Sequence, residues 1–156
     1  MFQEGDEFAR AKVIADTDFT PDKDKGKLDN NSYNKDDATN YINYNHMKLN
    51  EDLKNYYSGL IALRKRFAAF RRTNYEDISF FNVDENPFAL GYQLNYNEEV
   101  FIVLFNADMY KTQSFNLPEG KWNILADPGI AGIESLGVVE VGIVLEPSTG
   151  VVLKKN

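Results

Sequence analysis

Leu53, Tyr56, Leu60, Leu63, Phe67 and Phe70 recur at steps of 3, 4, 3, 4 and 3, and nothing after Thr73 repeats that spacing. Those steps set all six side chains on one stripe, so the spacing predicts an amphipathic helix over residues 51–71. Asn50 stands at its N-cap, with Glu51 and Asp52 in the first turn, where the helix dipole favours anions. Arg64, Lys65, Arg66, Arg71 and Arg72 crowd the far end, where cations are favoured. Beyond Thr73 the apolar residues alternate in short runs. Strands are predicted at Ile78–Val83, Phe88–Tyr96, Val100–Asn106, Gln113–Leu117, Lys121–Ala126, Gly137–Glu146 and Gly150–Lys154. Turn residues separate them at Glu85-Asn86-Pro87, Asn97-Glu98, Pro118-Glu119-Gly120, Asp127-Pro128-Gly129 and Pro147-Ser148-Thr149-Gly150. The reading is mainly β: an antiparallel sandwich of about seven strands, preceded by one long helix and an irregular segment.

Charge changes at the same place. Residues 1–72 carry 13 basic and 12 acidic side chains, net +1, whereas residues 73–156 carry 4 and 12, net −8. The chain of 156 residues is 43% hydrophobic and 13% aromatic, enough apolar surface for a real core. A net charge of −7 argues against nucleic acid as a partner, because sequence-independent binding needs clustered Lys and Arg. No apolar stretch approaches a membrane span, so no membrane partner is expected. The absence of Cys removes disulfides, thiolate metal sites and Cys nucleophiles, and a single His removes any His-rich zinc site. The acidic opening Met1–Glu7 has neither the basic nor the apolar region of a signal peptide.

The first 49 residues are polar and irregular, with a short helix or turn expected between Asp36 and Met47. Asp16, Asp18, Thr20, Asp22 and Asp24 place an oxygen at every second position, as a calcium loop does. An EF-hand beginning at Asp16 or Asp18 needs Gly at its sixth position and finds Pro21 or Lys23; at its twelfth it needs Glu and finds Lys27 or Asp29. The run therefore reads as a solvated loop, and no metal and no cofactor are expected. His46 lies in a polar segment and reads as a surface histidine. Asn30-Asn31-Ser32 is a glycosylation sequon, which matters only in a eukaryotic secretory route. Tyr33, Tyr41 and Tyr44 stand among Asn and Asp, and Tyr56 and Tyr57 read as helix core. Aromatic faces beside amides and carboxylates suit sugar recognition, since pyranose faces stack while hydroxyls take hydrogen bonds.

The order of motifs carries more. Gln3-Glu4-Gly5-Asp6-Glu7-Phe8-Ala9-Arg10-Ala11-Lys12, then Asn31-Ser32-Tyr33-Asn34, then Tyr57-Ser58-Gly59-Leu60-Ile61-Ala62-Leu63-Arg64-Lys65, closing at Phe70-Arg71, resembles the carboxyl end of type I pullulanases. These are α-1,6-glucan debranching enzymes of glycoside hydrolase family 13. Val103-Leu104-Phe105-Asn106-Ala107 and Leu117-Pro118-Glu119-Gly120-Lys121-Trp122 are similar to that family's C-terminal sandwich. The resemblance covers essentially the whole chain. Two departures stand out: the insertion Val13–Leu28, and Tyr44 where relatives tend to carry Trp.

The resemblance implies that residues 1–72 are the end of a (β/α)8 barrel, with helix 51–71 its last helix, and that residues 73–156 are the sandwich. Loops after barrel strands form the active face, so Asn31, Tyr33 and Asn34 are the implied substrate-binding residues, with Glu4, Asp6 and Glu7 near the strand end. The implied partners are an α-glucan (pullulan, glycogen or branched starch) and the rest of the catalytic barrel. Retaining hydrolysis needs two carboxyl groups about 5–5.5 Å apart, and the resemblance puts the family's catalytic carboxylates on earlier strands. No catalytic residue is assigned here, and the chain alone is expected to be inactive. Two other classes stay open: a free-standing carbohydrate-binding module, with Trp122, Tyr92, Tyr96 and Tyr110 as platform candidates, and a purely structural or interaction domain that binds no sugar. Within the enzyme class the competitor is the equivalent part of an isoamylase or other family 13 member.

Overall fold

A computed structural model describes residues 3–83 and 86–156. The chain divides into two compact units, Met1–Lys54 and Asn55–Asn156. Short helix α1 (Asn45–Leu49) and the first residues of α2 (Glu51–Arg66) lie in the first unit; the rest of α2, then α3 (Ala69–Arg72), begin the second.

The second unit is the antiparallel sandwich that the alternating runs predict. Strands β1 (Ile78–Phe80), β2 (Ala89–Tyr96), β3 (Glu99–Asn106), β5 (Trp122–Ala126), β6 (Gly137–Val139) and β8 (Thr149–Lys155) make a six-stranded sheet in the order β1-β2-β3-β8-β5-β6. Strands β4 (Gln113–Asn116) and β7 (Gly142–Leu145) pair as a second, two-stranded sheet. The β2–β3 register, Tyr96 opposite Glu99, leaves Asn97-Glu98 as a two-residue turn, and Asn97 takes the positive φ of 52° that a tight hairpin requires. The turn predicted at Glu85-Asn86-Pro87 begins outside the described residues.

Alternation along the strands gives the large sheet two apolar faces. Ile102, Leu104, Val151 and Leu153 point to the small sheet, where they bury Phe115 and Leu145 together with Trp122. Asn106 closes one end of this core: its buried amide donates to the carbonyls of Lys111 (2.8 Å), Glu146 (3.1 Å) and Leu145 (3.3 Å), joining the end of β3 to the end of β7. Trp122 closes another part, wholly buried, with Nε1 donating to Pro118 O at 3.0 Å. Both residues come from motifs that the sequence singles out, and both hold strand ends to neighbouring turns.

The opposite face carries Leu94 and Phe101, and there Leu63, Phe67 and Ala69 pack on it. Phe101 is flanked by Phe67 and Phe70, with ring centroids 5.0 and 4.6 Å away. This seam explains why the single predicted helix over 51–71 is two. The ladder breaks at Phe67-Ala68, where the Arg71 guanidinium takes the carbonyls of Arg64, Lys65 (2.8 Å) and Phe67 (3.4 Å) that end α2. Glu99 then accepts the Ala69 N–H at 2.7 Å, placing an anion at the start of α3. The predicted strand Gly137–Glu146 is likewise two, because its first part pairs with β5 in the large sheet and its second with β4 in the small one.

In the first unit the segment 13–28 has a closed base. Val13 and Leu28 face each other as an isolated antiparallel bridge; Ile14 N–H donates to Lys27 O and Asp29 N–H to Lys12 O, both at 2.9 Å. The segment is thus a hydrogen-bonded finger whose closing bridge joins Val13 to Leu28.

Candidate functional site

The implied substrate-binding residues fall on one turn of the first unit. Asn31, Tyr33 and Asn34 are all exposed, Tyr33 at 83%, while Ser32 between them is buried. The alternation has a cause. Ser32 Oγ donates to Asn40 Oδ1 at 2.7 Å, and Asn40 Nδ2 donates to the carbonyls of Ser32 and Lys35, both at 2.5 Å. Lys35 N–H returns a bond to Ser32 O at 3.0 Å. One Asn side chain therefore grips the turn from inside and leaves its outer three side chains free for a ligand.

Asn40 is itself held. Its carbonyl takes the Arg10 guanidinium, and its N–H donates to Asp37 O at 3.0 Å. Neighbouring Thr39 is buried, and its Oγ1 accepts the Ala15 N–H at 2.9 Å from the finger. The dipeptide Thr39-Asn40 so anchors both the finger and the Asn31–Asn34 turn. Its importance has only a faint sequence signal, an Asp37-x-Thr39 turn in which Asp37 Oδ1 takes Thr39 N–H at 2.8 Å.

Asp6 and Glu7 serve the backbone around them, and Glu4 the Tyr44 phenol. Asp6 Oδ2 accepts Gln3 N–H at 2.8 Å, Glu7 Oε2 accepts Gly5 N–H at 2.9 Å, and Glu4 Oε1 accepts the Tyr44 hydroxyl at 3.2 Å. Gly5 holds φ at 97°, and a Cβ there would meet the Arg10 side chain at 2.7 Å, so glycine is required where this turn folds over Arg10. The Tyr44 phenol is held above its ordinary range, first by its bond to the Glu4 carboxylate. Lys35 bonds Asp29 and keeps that carboxyl below its usual range, helped by the Asn31 N–H. In the finger, Lys25 Nζ bridges Asp16 (3.1 Å) and Asp22 (3.2 Å), so an ammonium sits where the acidic run would otherwise face a metal. Among the described residues, no group of three or more His, Asp or Glu converges as metal ligands. His46 Nδ1 accepts Ala11 N–H at 3.4 Å. Among the described residues, no helix is long and apolar enough to cross a membrane.

Of the platform candidates in the sandwich, Trp122 is fully buried, Tyr92 and Tyr96 are partly buried, and Tyr110 is exposed.

Removing the Ser32 hydroxyl tests the clamp. Ser32→Ala takes away one hydrogen bond worth about 1 kcal/mol, so amide exchange at Lys35 should quicken roughly fivefold. Hydrogen exchange followed by NMR reads this directly; an unchanged Lys35 rate would mean that Asn40 does not need Ser32.

No family model matches the chain. Solved structures do. A pullulanase from Bacillus acidopullulyticus superposes with a TM-score of 0.77 at 26% identity, over 98% of this chain and 18% of that one. This chain is similar to the carboxyl-terminal part of a type I pullulanase. A pullulanase from Anoxybacillus sp. LM18-11 complexed with maltotetraose follows at TM-score 0.73 and 24% identity, covering 98% of this chain and 20% of its own. A MutB double mutant in complex with isomaltulose shares the fold over 74% of this chain, at TM-score 0.55 and 18% identity. The chain thus spans about a fifth of the pullulanases it matches, and the pullulanase likeness takes in both units, since it leaves only 2% of the chain outside.

Proposed function

We propose that this chain is the C-terminal part of an α-1,6-glucan debranching glycoside hydrolase of the pullulanase type, in which the sandwich supports the (β/α)8 barrel and the bond-breaking carboxylates lie elsewhere. Residues 1–72 are then the end of the barrel and residues 73–156 its companion domain. In this reading Asn31, Tyr33 and Asn34 touch the glucan; one pullulanase neighbour is itself complexed with maltotetraose.

The observation that carries the supporting role is an apolar groove of about 550 Å³ beside α2 and α3. Tyr92, Val103 and Val152 lie side by side in register on the same sheet face as Leu94 and Phe101 and line the groove, Val103 buried and the other two partly so. Leu60, Phe70 and Ile78 line the groove, and Phe80 stands 58% exposed at its edge. A surface of this kind on an otherwise well-packed sandwich marks a contact site for further protein. In the carbohydrate-module reading Tyr110 is the exposed candidate, since Trp122 is fully buried and Tyr92 and Tyr96 are partly buried.

A paired assay on the 156-residue chain tests this: pullulan hydrolysis, and maltooligosaccharide binding by calorimetry. No turnover is expected, and any binding should depend on Tyr33. Turnover would overturn the proposal, since it requires a complete pair of catalytic carboxyl groups within these residues. Binding abolished by Tyr110→Ala and untouched by Tyr33→Ala would favour the module.

A further inference from the structure

The finger Val13–Leu28 is ordered by its own bonds, yet it holds a large apolar side chain out in water. Phe19 is 96% exposed. Full exposure of a phenylalanine forgoes the gain of burying its ring, and a disordered loop would explain it trivially. This loop is not built that way. Thr20 N–H donates to Thr17 O at 3.0 Å, closing a turn with Phe19 in its second half. Thr20 Oγ1 donates to Ala15 O at 2.6 Å and accepts Thr17 N–H at 3.2 Å, tying the turn to the finger's stem. Asp24 N–H donates to Pro21 O at 2.8 Å, Lys27 N–H to Asp24 O at 3.2 Å, and Lys25 clasps Asp16 and Asp22 across the loop. The ring is displayed on a braced turn.

The place of display matters. Ala15 hangs from Thr39, and Ser32 hangs from Asn40, so adjacent residues carry the finger and the Asn31–Asn34 turn. From Ala15 to Phe19 is four residues, at most about 14 Å of extended chain, within the span of a short oligosaccharide.

We propose that Phe19 is an additional aromatic subsite for the α-glucan, supplied by the finger and used together with Tyr33. The inference rests on the reading of the Asn31–Asn34 turn as a glucan-binding element. A phenyl ring has no hydrogen-bonding group, so it stacks on the apolar face of a pyranose without discriminating its hydroxyls. Tyr33, Asn31 and Asn34 supply the polar contacts. Phe19 lengthens the contact, and with it the preference for longer glucan chains.

The test is an NMR titration of the 156-residue chain with maltotriose and with maltohexaose. Backbone amides of residues 17–20 and 31–34 should shift together with maltohexaose, and only 31–34 with maltotriose. Phe19→Ala should weaken maltohexaose binding about three- to tenfold, the usual scale of one aromatic contact, and leave maltotriose binding unchanged. Phe19→Tyr should restore it and Phe19→Leu should not, which separates ring stacking from plain apolar contact. If Tyr33→Ala abolishes binding while Phe19→Ala changes nothing, the finger inference fails and the glucan-binding turn stands. If maltohexaose shifts neither segment, the reading of the turn falls, and the finger inference with it.

Discussion

Gly59→Ala is expected to destabilise the sandwich unit by about 3 kcal/mol, although the same change in an exposed helix would stabilise it by about 1 kcal/mol. Gly59 lies in the middle of α2, where glycine is normally unfavourable. A Cβ there would stand 1.8 Å from the Ala131 carbonyl oxygen and 2.4 Å from its carbon. Backbone has to move to admit it, and this backbone is tied down. Ala131 bridges Ala126 in β5, Gly132 N–H donates to Leu125 O, and Asp127 N–H to Ile130 O, both at 2.9 Å. Either α2 lifts from the loop or the loop tears from the sheet. Gly132→Ala is the matched control: a Cβ at Gly132 meets nothing within 4 Å, so that variant should melt within about 2 °C of the parent. Thermal melts of the two variants decide the matter, and equal melting temperatures would show that the close approach at Gly59 has no energetic consequence.

Trp122→Ala has the other large expected effect. The indole is fully buried between the sheets, beside Leu153, Phe115 and Leu145, and its Nε1 satisfies the Pro118 carbonyl. Emptying that volume costs about 3–5 kcal/mol, against a total of roughly 5–15 kcal/mol for a domain. The melting temperature should fall by at least about 12 °C. A fall of only a few degrees would place Trp122 outside the cooperative core. The proposed glucan binding through Tyr33 should survive in this variant wherever the first unit stays folded.

Much of this was legible in the residues. The helical stripe from Leu53 to Phe70 marked a helix because burial of one face enforces a period near 3.6, and that constraint is local. Strand positions followed from alternation, and the Asn97-Glu98 hairpin from the tolerance of Asn for positive φ. Motif order pointed to a pullulanase end, and the solved structures agree. Elsewhere the residues were silent. Gly59 appeared as a motif member with no visible reason, since its reason is a carbonyl 72 positions away in the chain. Ser32 read as one polar residue among many, and only the Asn40 side chain eight positions later makes it the inward member of its turn.

By itself, the sequence determined which segments are helix, strand and turn, the mainly β class, and the absence of cysteine and membrane-span chemistry, because each depends on composition or on neighbours within a few residues. Tertiary structure alone decided where those segments stop. Arg71 and Glu99 end one helix and start the next, and residues 137–146 break in two because their halves pair with different sheets. It also decided that Tyr33 faces outward, because the side chain of Asn40, a residue outside the turn, grips the backbone beneath it. Periodicity reports the face that a segment buries, but pairing partners and anchoring bonds come from contacts far apart in the chain, and no local pattern encodes them.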